Sequence, residues 1–129
     1  MQNNDYSKLR THKAYNYAKD VVNGDIVASK YVKKACQSFL YMVDDESHRL
    51  HKKYFVCIKT FGKIDKIIRL TNFATGEYAG QSCYEHIEGF QWFILMNLYA
   101  VKHRDNPRKR RYEKACVFIA RKNANVLAF

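Results

Sequence analysis

A dense cluster of basic side chains is the feature of this sequence best suited to chemistry, and that chemistry is anion binding. Between residues 102 and 114 there are seven basic and two acidic residues, a net charge of +5. The basic residues are Lys102, Arg104, Arg108, Lys109, Arg110, Arg111 and Lys114. With Arg121 and Lys122 the net charge reaches +7 within 21 residues, out of +11 for the whole chain. Ammonium and guanidinium groups at this density suit phosphates or an acidic protein surface.

Two interpretations of this basic segment remain open. The first is a solvated hairpin tip without a partner, and the second is a contact surface. Four consecutive cations at 108–111 repel one another and have no adjacent acid to neutralise them, which favours the contact surface. Base stacking is not indicated, since Tyr112 is the single aromatic residue within the segment. We therefore expect the nine cations named above to bind a partner protein or a nucleic acid.

Patterns that would indicate catalysis or metal binding are weak. His48 and His51 have a spacing that would let them share a metal, but no third ligand is close in the sequence. The four cysteines form no CxxC pair, so neither a zinc site nor a redox motif is predicted. Ser47 with His48, or Cys57 with a histidine, belongs to no catalytic motif. We expect no enzyme activity, no metal and no cofactor.

Length and composition favour one globular domain over residues 1–129. Hydrophobic residues make up 47% and charged residues 27%, and one proline and five glycines exclude collagen-like and linker classes. The polar first 13 residues predict no signal peptide. The longest apolar stretch, 89–101, is too short to span a bilayer. We therefore expect a cytoplasmic protein without a membrane partner.

The elements that must position the cations begin with a predicted helix pair over residues 6–43. Apolar residues recur at helical spacing, and Asn23-Gly24 supplies a stop, after which Asp25 caps the second helix. A two-residue connection is typical of small helix-turn-helix units. A weaker basic patch on this pair would allow contact with DNA. The second helix, however, begins without the Arg, Asn or Gln cluster that reads bases.

The rest of the chain predicts a helical domain with little sheet. Residues 44–75 form a variable middle, in which 54–73 fits either a helix weakened at Gly62 or a hairpin turning there; we favour the helix. Residues 89–101 predict a long helix that is apolar nearly all round and therefore buried.

The basic turn, residues 102–111, follows that helix. A strand is expected over 112–120, because ACVFIA is a continuous apolar run. The predicted fold class is mostly α: a compact helical domain that starts with a helix-turn-helix-like pair and has one short β element near the C-terminus.

Three blocks of the sequence carry a family resemblance. The first is 17–36, the second joins GEYAG at 76–80 to IEGFQWFIL at 87–95, and the third is ACVFIARKN at 115–123. Together they resemble the N-terminal region of the large terminase subunit of tailed bacteriophages. Their order and spacing match that family over nearly the whole chain, except in 44–73.

What the resemblance implies is an origin in a DNA-packaging ATPase whose phosphate-binding loop is degenerate. In the family, the third block continues with Gly-Lys-Ser/Thr, which binds phosphates and Mg²⁺. The corresponding residues here are Ala124, Asn125 and Val126, which lack the cation and the hydroxyl. Gln91 stands where the family has a Gln that reads adenine, but without a working loop we favour an ordinary helix N-terminal residue. We expect neither ATP hydrolysis nor DNA cleavage.

Two functional hypotheses follow. In the first, this is a non-catalytic binding protein of phage or mobile-element origin that inhibits a host defence complex, as anti-CRISPR proteins do, through its basic surface. An RNA-guided nuclease offers both acidic protein surfaces and phosphate backbones. In the alternative, the chain is a truncated terminase fragment that binds DNA or packaging partners without ATPase activity. Neither hypothesis involves a small-molecule substrate.

Overall fold

The computed structural model describes residues 6–72, 74 and 79–114, which are mostly helical and carry a two-stranded antiparallel sheet. The predicted fold class is thereby confirmed. The helices are α1 (Ser7–Arg10), α2 (Lys13–Asn23), α3 (Lys30–Asp44), α4 (Arg49–Lys53), α5 (Ile58–Leu70), α6 (Cys83–His86) and α7 (Gly89–Leu95). A π-helical turn, Met96–Ala100, continues α7, and the strands are β1 (Tyr54–Val56) and β2 (Val101–His103). No helix of the described residues is long and apolar enough to cross a membrane.

The predicted helix pair is present in the structure as α2 and α3. The stop at Gly24 is where α2 ends, and its φ of +88° is a conformation that glycine adopts without a steric penalty. The predicted cap at Asp25 is wrong: α3 begins after Ser29, whose hydroxyl accepts the amide hydrogen of Val32. The connection is therefore six residues long, 24–29, rather than two.

Polar contacts fasten the start of α2 to the end of α3. The hydroxyl of Tyr15 donates to Asp44 Oδ2 at 2.7 Å, and Arg10 pairs with Asp44 Oδ1 at 3.2 Å. Arg10 precedes α2 and Asp44 ends α3, so the two helices run antiparallel. Burial, together with the Asp44 carboxylate, raises the pKa of Tyr15 to about 12.

The segment at 54–73 contains both a strand and a helix. The favoured helix is α5, and Gly62 lies within it without breaking it. Tyr54–Val56 forms a strand, but its partner is β2 rather than a strand across Gly62. The register pairs Tyr54 with His103 and Val56 with Val101.

The long apolar helix predicted over 89–101 is present over 89–100, but it is less regular than expected. It begins with a capping box, in which the Gln91 amide oxygen accepts the Glu88 N–H at 2.9 Å. Gln91 is only 3% exposed, and its side chain caps the N-terminus of the helix. This agrees with the prediction of an ordinary helix N-terminal residue. After Leu95 the backbone becomes π-helical, and Val101 already belongs to β2. The π-helical turn therefore leads directly into β2 of the sheet.

The strand predicted over 112–120 is not seen where the structure describes it, since residues 112–114 are irregular. Residues 115–120 lie outside the described residues. Among the described residues, the β element toward the C-terminal end is β2, which opens the basic turn rather than following it.

The core lies where α2, α3, α7 and the sheet meet, and Trp92, which is 1% exposed, is its largest fully buried side chain. The imidazole of His12 packs edge-on between Phe61 and Trp92, with both ring centroids at 4.6 Å. Its Nδ1 accepts the Ala14 N–H at 3.1 Å and thereby caps α2. The ring is therefore neutral, with its proton on Nε2, which faces Asp65 at 3.3 Å.

The position of His12 makes the fold sensitive to acid. Burial lowers the pKa of His12, helped by the charges of Lys13 and Arg69 and opposed by Asp65. The folded state therefore prefers the neutral ring more than the unfolded chain does. This contribution to stability is complete above the ordinary pKa of 6.5 and is lost as the pH falls through the lower folded value.

We predict that His12→Asn reduces this acid sensitivity, because asparagine caps a helix without titrating. Urea unfolding at about pH 8 and about pH 5 provides the measurement. The wild type should lose more free energy of unfolding between the two conditions than the variant does. Equal losses would show that protonation of His12 does not couple to folding.

Candidate functional site

The predicted basic turn is a hairpin, and residues 101–111 are called the basic hairpin below. The N–H of His103 donates to the carbonyl of Lys109 at 3.0 Å, and the N–H of Arg111 donates to the carbonyl of Val101 at 2.9 Å. A bridge between residues 102 and 110 lies between these bonds. The returning segment therefore lies beside β2 as a third, very short extended stretch.

Asn106 closes the tip of the basic hairpin. Its carbonyl accepts the N–H of Lys109 at 2.9 Å, and its side-chain oxygen accepts the N–H of Arg108 at 3.2 Å. Such self-bonding is the reason asparagine is favoured in turns. The tip borders an open depression, which is lined by Asn106, Arg108, Lys109, Arg110 and Glu113.

Two of the predicted binding residues, Lys102 and Arg104, are half-buried and engaged with their own chain. Arg104 Nε donates to the His51 carbonyl at 2.6 Å, and Lys102 Nζ donates to the Thr60 hydroxyl at 2.9 Å. These contacts join the basic hairpin to α4 and α5. Both side chains therefore hold the hairpin in place.

Arg110 and Arg111 are also half-buried, and they lie against aromatic rings. Arg110 lies 5.3 Å from the ring centre of Tyr99, while Arg111 lies between Tyr54 at 4.6 Å and Tyr112 at 4.9 Å. Cation–π attraction stabilises such pairs. The repulsion expected among four consecutive cations is thus relieved for two of them by π faces rather than by acids.

The remaining described cations of the predicted site, Arg108, Lys109 and Lys114, are exposed. None of the three forms an ion pair within the described part of the chain. Arg121 and Lys122 lie outside the described residues. The predicted site therefore divides into a half-buried set that fixes the hairpin and an exposed set that is available to an anion.

The sequence analysis missed a second basic segment at residues 49–69. It contains seven basic residues and one acid, a net charge of +6. Pairing of β1 with β2 brings this segment to the basic hairpin, and the Arg104 N–H donates to the Lys53 carbonyl at 2.9 Å. A charge count would have found the segment. Its neighbour could not be inferred, because the pairing joins residues nearly 50 positions apart.

A thiol lies beside the junction of the two basic segments. The Thr60 hydroxyl, which accepts a hydrogen bond from Lys102, lies 3.3 Å from Cys57 Sγ and donates to it. Burial raises the pKa of Cys57, but the Thr60 hydrogen bonds and the Lys102 charge outweigh it and lower the pKa overall. The groups that face the sulfur are thus a threonine and a lysine.

His48 and His51, which have the spacing of a metal-binding pair, each form hydrogen bonds with nearby backbone groups. His48 Nδ1 accepts the Leu50 N–H at 3.1 Å, and its ring stacks on Tyr41 at 4.7 Å. His51 Nδ1 donates to the Met42 carbonyl at 2.8 Å. Within the described residues, no group of three or more potential ligands is placed to hold a metal ion.

Comparisons with protein-family models, with curated proteins and with solved structures give no match. The first block of the terminase resemblance, 17–36, spans most of α2, the connection and the first half of α3. The part of the second block at 87–95 includes α7, whereas the third block, 115–123, lies outside the described residues. The resemblance stays a prediction.

We predict that the two sets of hairpin cations differ in their effect on stability. Arg111→Gln should lower the free energy of unfolding by about 1 to 2 kcal/mol, since it removes two cation–π contacts and a hydrogen bond to Ser38. Arg108→Gln should change it by less than about 0.5 kcal/mol. Urea denaturation measures both, and equal effects would contradict the division.

Proposed function

We propose that this protein is a non-catalytic binding protein whose basic hairpin contacts the phosphate backbone of a nucleic acid. The observation that carries the proposal is the exposed set: Arg108 and Lys109 lie on a hairpin that other cations hold in place, and Lys114 lies three residues beyond it. Unpaired cations on a fixed frame lose little conformational entropy when they bind.

Phosphate is the anion that this arrangement suits best. Arg108 offers a planar guanidinium that can bind two phosphate oxygens at once, and Lys109 and Lys114 add point charges. The chain as a whole carries +11, which attracts a polyanion over a distance and releases its counterions on contact.

We predict that Arg108, Lys109 and Lys114 changed together to glutamine weaken binding to a duplex of about 20 base pairs at least tenfold. The slope of log affinity against log salt should fall by about 2 to 3, since about one counterion is released per phosphate contact. Fluorescence anisotropy measures both quantities.

The matched control changes Lys8, Lys13 and Lys19 to glutamine, which removes the same charge from exposed positions outside α3 and both basic segments. It should bind nearly as tightly as the wild type. Equal losses in the hairpin variant and the control would mean that total charge, and not the hairpin, determines binding.

The biological setting that we propose is a phage or a mobile element, with the protein inhibiting a host defence complex. The terminase-like blocks support the origin, and the exposed phosphate-binding cations support the target, because an RNA-guided nuclease presents duplex and heteroduplex backbones. The alternative is a terminase fragment that contacts DNA or packaging partners through the same hairpin.

We predict that the purified protein inhibits target cleavage by an RNA-guided nuclease loaded with its guide, with increasing inhibition at increasing dose. The variant of Arg108, Lys109 and Lys114 should lose this inhibition, while the variant of Lys8, Lys13 and Lys19 should keep it. Absence of inhibition across a panel of such nucleases, together with intact duplex binding, would favour the terminase-fragment alternative.

A further inference from the structure

Helix α3 exposes one continuous polar face along its length. Lys30, Lys33, Lys34, Gln37 and Tyr41 are all exposed, at the spacing i, i+3, i+4, i+7 and i+11 that places residues on one side of a helix. The opposite side is buried in the core and contains Cys36, Phe39, Met42 and Val43. The three lysines of the polar face are therefore not used in packing the core.

The positive charge of the polar face does not stabilise the fold. Its three lysines lie in the first two turns of α3, near the positive end of the helix dipole, where cations are unfavourable. None of them forms an ion pair within the described residues, and α3 has no acid before Asp44. An anionic partner would offset the repulsion that the isolated helix bears.

The polar face of α3 adjoins the basic hairpin. Arg111 donates to the Ser38 hydroxyl at 3.4 Å, and Ser38 flanks the polar face. Tyr31, which is 71% exposed, lies on the same flank two turns earlier. The lysines of α3 and the exposed cations of the hairpin therefore belong to adjoining surfaces.

From this surface we infer that α3 lies in the major groove of duplex DNA while the basic hairpin contacts the adjacent phosphates. The inference rests on the proposed function and specifies the form of the nucleic acid and the groove. A 15-residue helix is about 22 Å long, and its width of about 10 to 12 Å fits a major groove about 12 Å wide. Lysine and glutamine side chains can donate to phosphates and to base-edge acceptors there.

The side chains of Gln37 and Tyr41 are held in place by contacts within the chain, and they lie between the lysines of the polar face and the end of α3. The Gln37 amide donates to the Tyr41 hydroxyl at 2.9 Å, and the Tyr41 ring stacks on His48. Few side chains on the face can discriminate bases, so the contact that we infer is mainly with the backbone and the groove rather than with one sequence.

The test compares Lys30, Lys33 and Lys34 changed together to glutamine with the charge-matched variant of Lys8, Lys13 and Lys19. Circular dichroism first confirms that both variants are folded. For a random duplex of about 20 base pairs, the α3 variant should lose at least tenfold in affinity and about 2 to 3 in salt slope, and the control should lose little.

Groove placement is tested by competition on the wild-type protein. Methyl green, which occupies the major groove, should displace the protein from the duplex, and netropsin, which occupies the minor groove of A·T sequences, should not. Displacement by netropsin alone, or equal affinity for a single strand of the same length, would overturn the inference.

Failure of the inference is distinguishable from failure of the proposed function. If the α3 variant binds duplex like the control while the hairpin variant loses affinity, the inference is overturned and the hairpin contact stands. If the hairpin variant binds like the control while the α3 variant loses affinity, the hairpin contact fails. If the α3 variant keeps duplex binding but loses binding to polyglutamate, the face suits an acidic protein and the inference is overturned.

Discussion

The pairing of β1 with β2 is the interaction on which the charged surface of this protein depends. Each strand has only three residues, so the pairing requires support from its surroundings. The Tyr6 hydroxyl accepts the Val56 N–H at 3.2 Å, and the Cys57 N–H donates to the Ala100 carbonyl at 2.8 Å. Without this small sheet the basic hairpin would have no fixed base, and the two basic segments would lie apart.

Within the hairpin, the same residue types serve two purposes. Arg104 is held by a backbone carbonyl and Arg111 by rings and a hydroxyl, whereas Arg108 and Lys109 face solvent. The turn at Asn106 leaves Arg108 and Lys109 exposed, whereas the rings of Tyr99 and Tyr54 partly cover Arg110 and Arg111. A count of charges treats all of them alike, although half-buried and exposed cations contribute differently to folding and to binding.

Features encoded by neighbouring residues were predictable. The stop at Gly24, a helix within 54–73 and the presence of a basic turn follow from local patterns, and the structure contains each of them. Features that depend on distant residues were not. The strand at Tyr54–Val56 is too short for a periodic signal, and the apolar helix ends in a π-helical turn directly before β2, whose partner strand lies more than 40 positions away.

The predicted cap at Asp25 failed for a local reason. Asp25 and Ser29 are both good capping residues, and the sequence between them does not show which one begins α3. The backbone amides of Asp25 and Ile26 both donate to the Asp20 carbonyl, which holds Asp25 at the end of α2. The basic residues of the candidate site could likewise be predicted from the sequence. Which of them are half-buried could not, because that depends on contacts with Tyr54, Tyr99 and Ser38.

The central claim is that the basic hairpin and the polar face of α3 bind a nucleic acid together. Amide hydrogen exchange, measured with and without a duplex of about 20 base pairs, tests it most directly. The account predicts slower exchange in residues 104–110 and 30–41 when duplex is present, with little change in α5. Protection in α5 with no change in the hairpin or in α3 would contradict it.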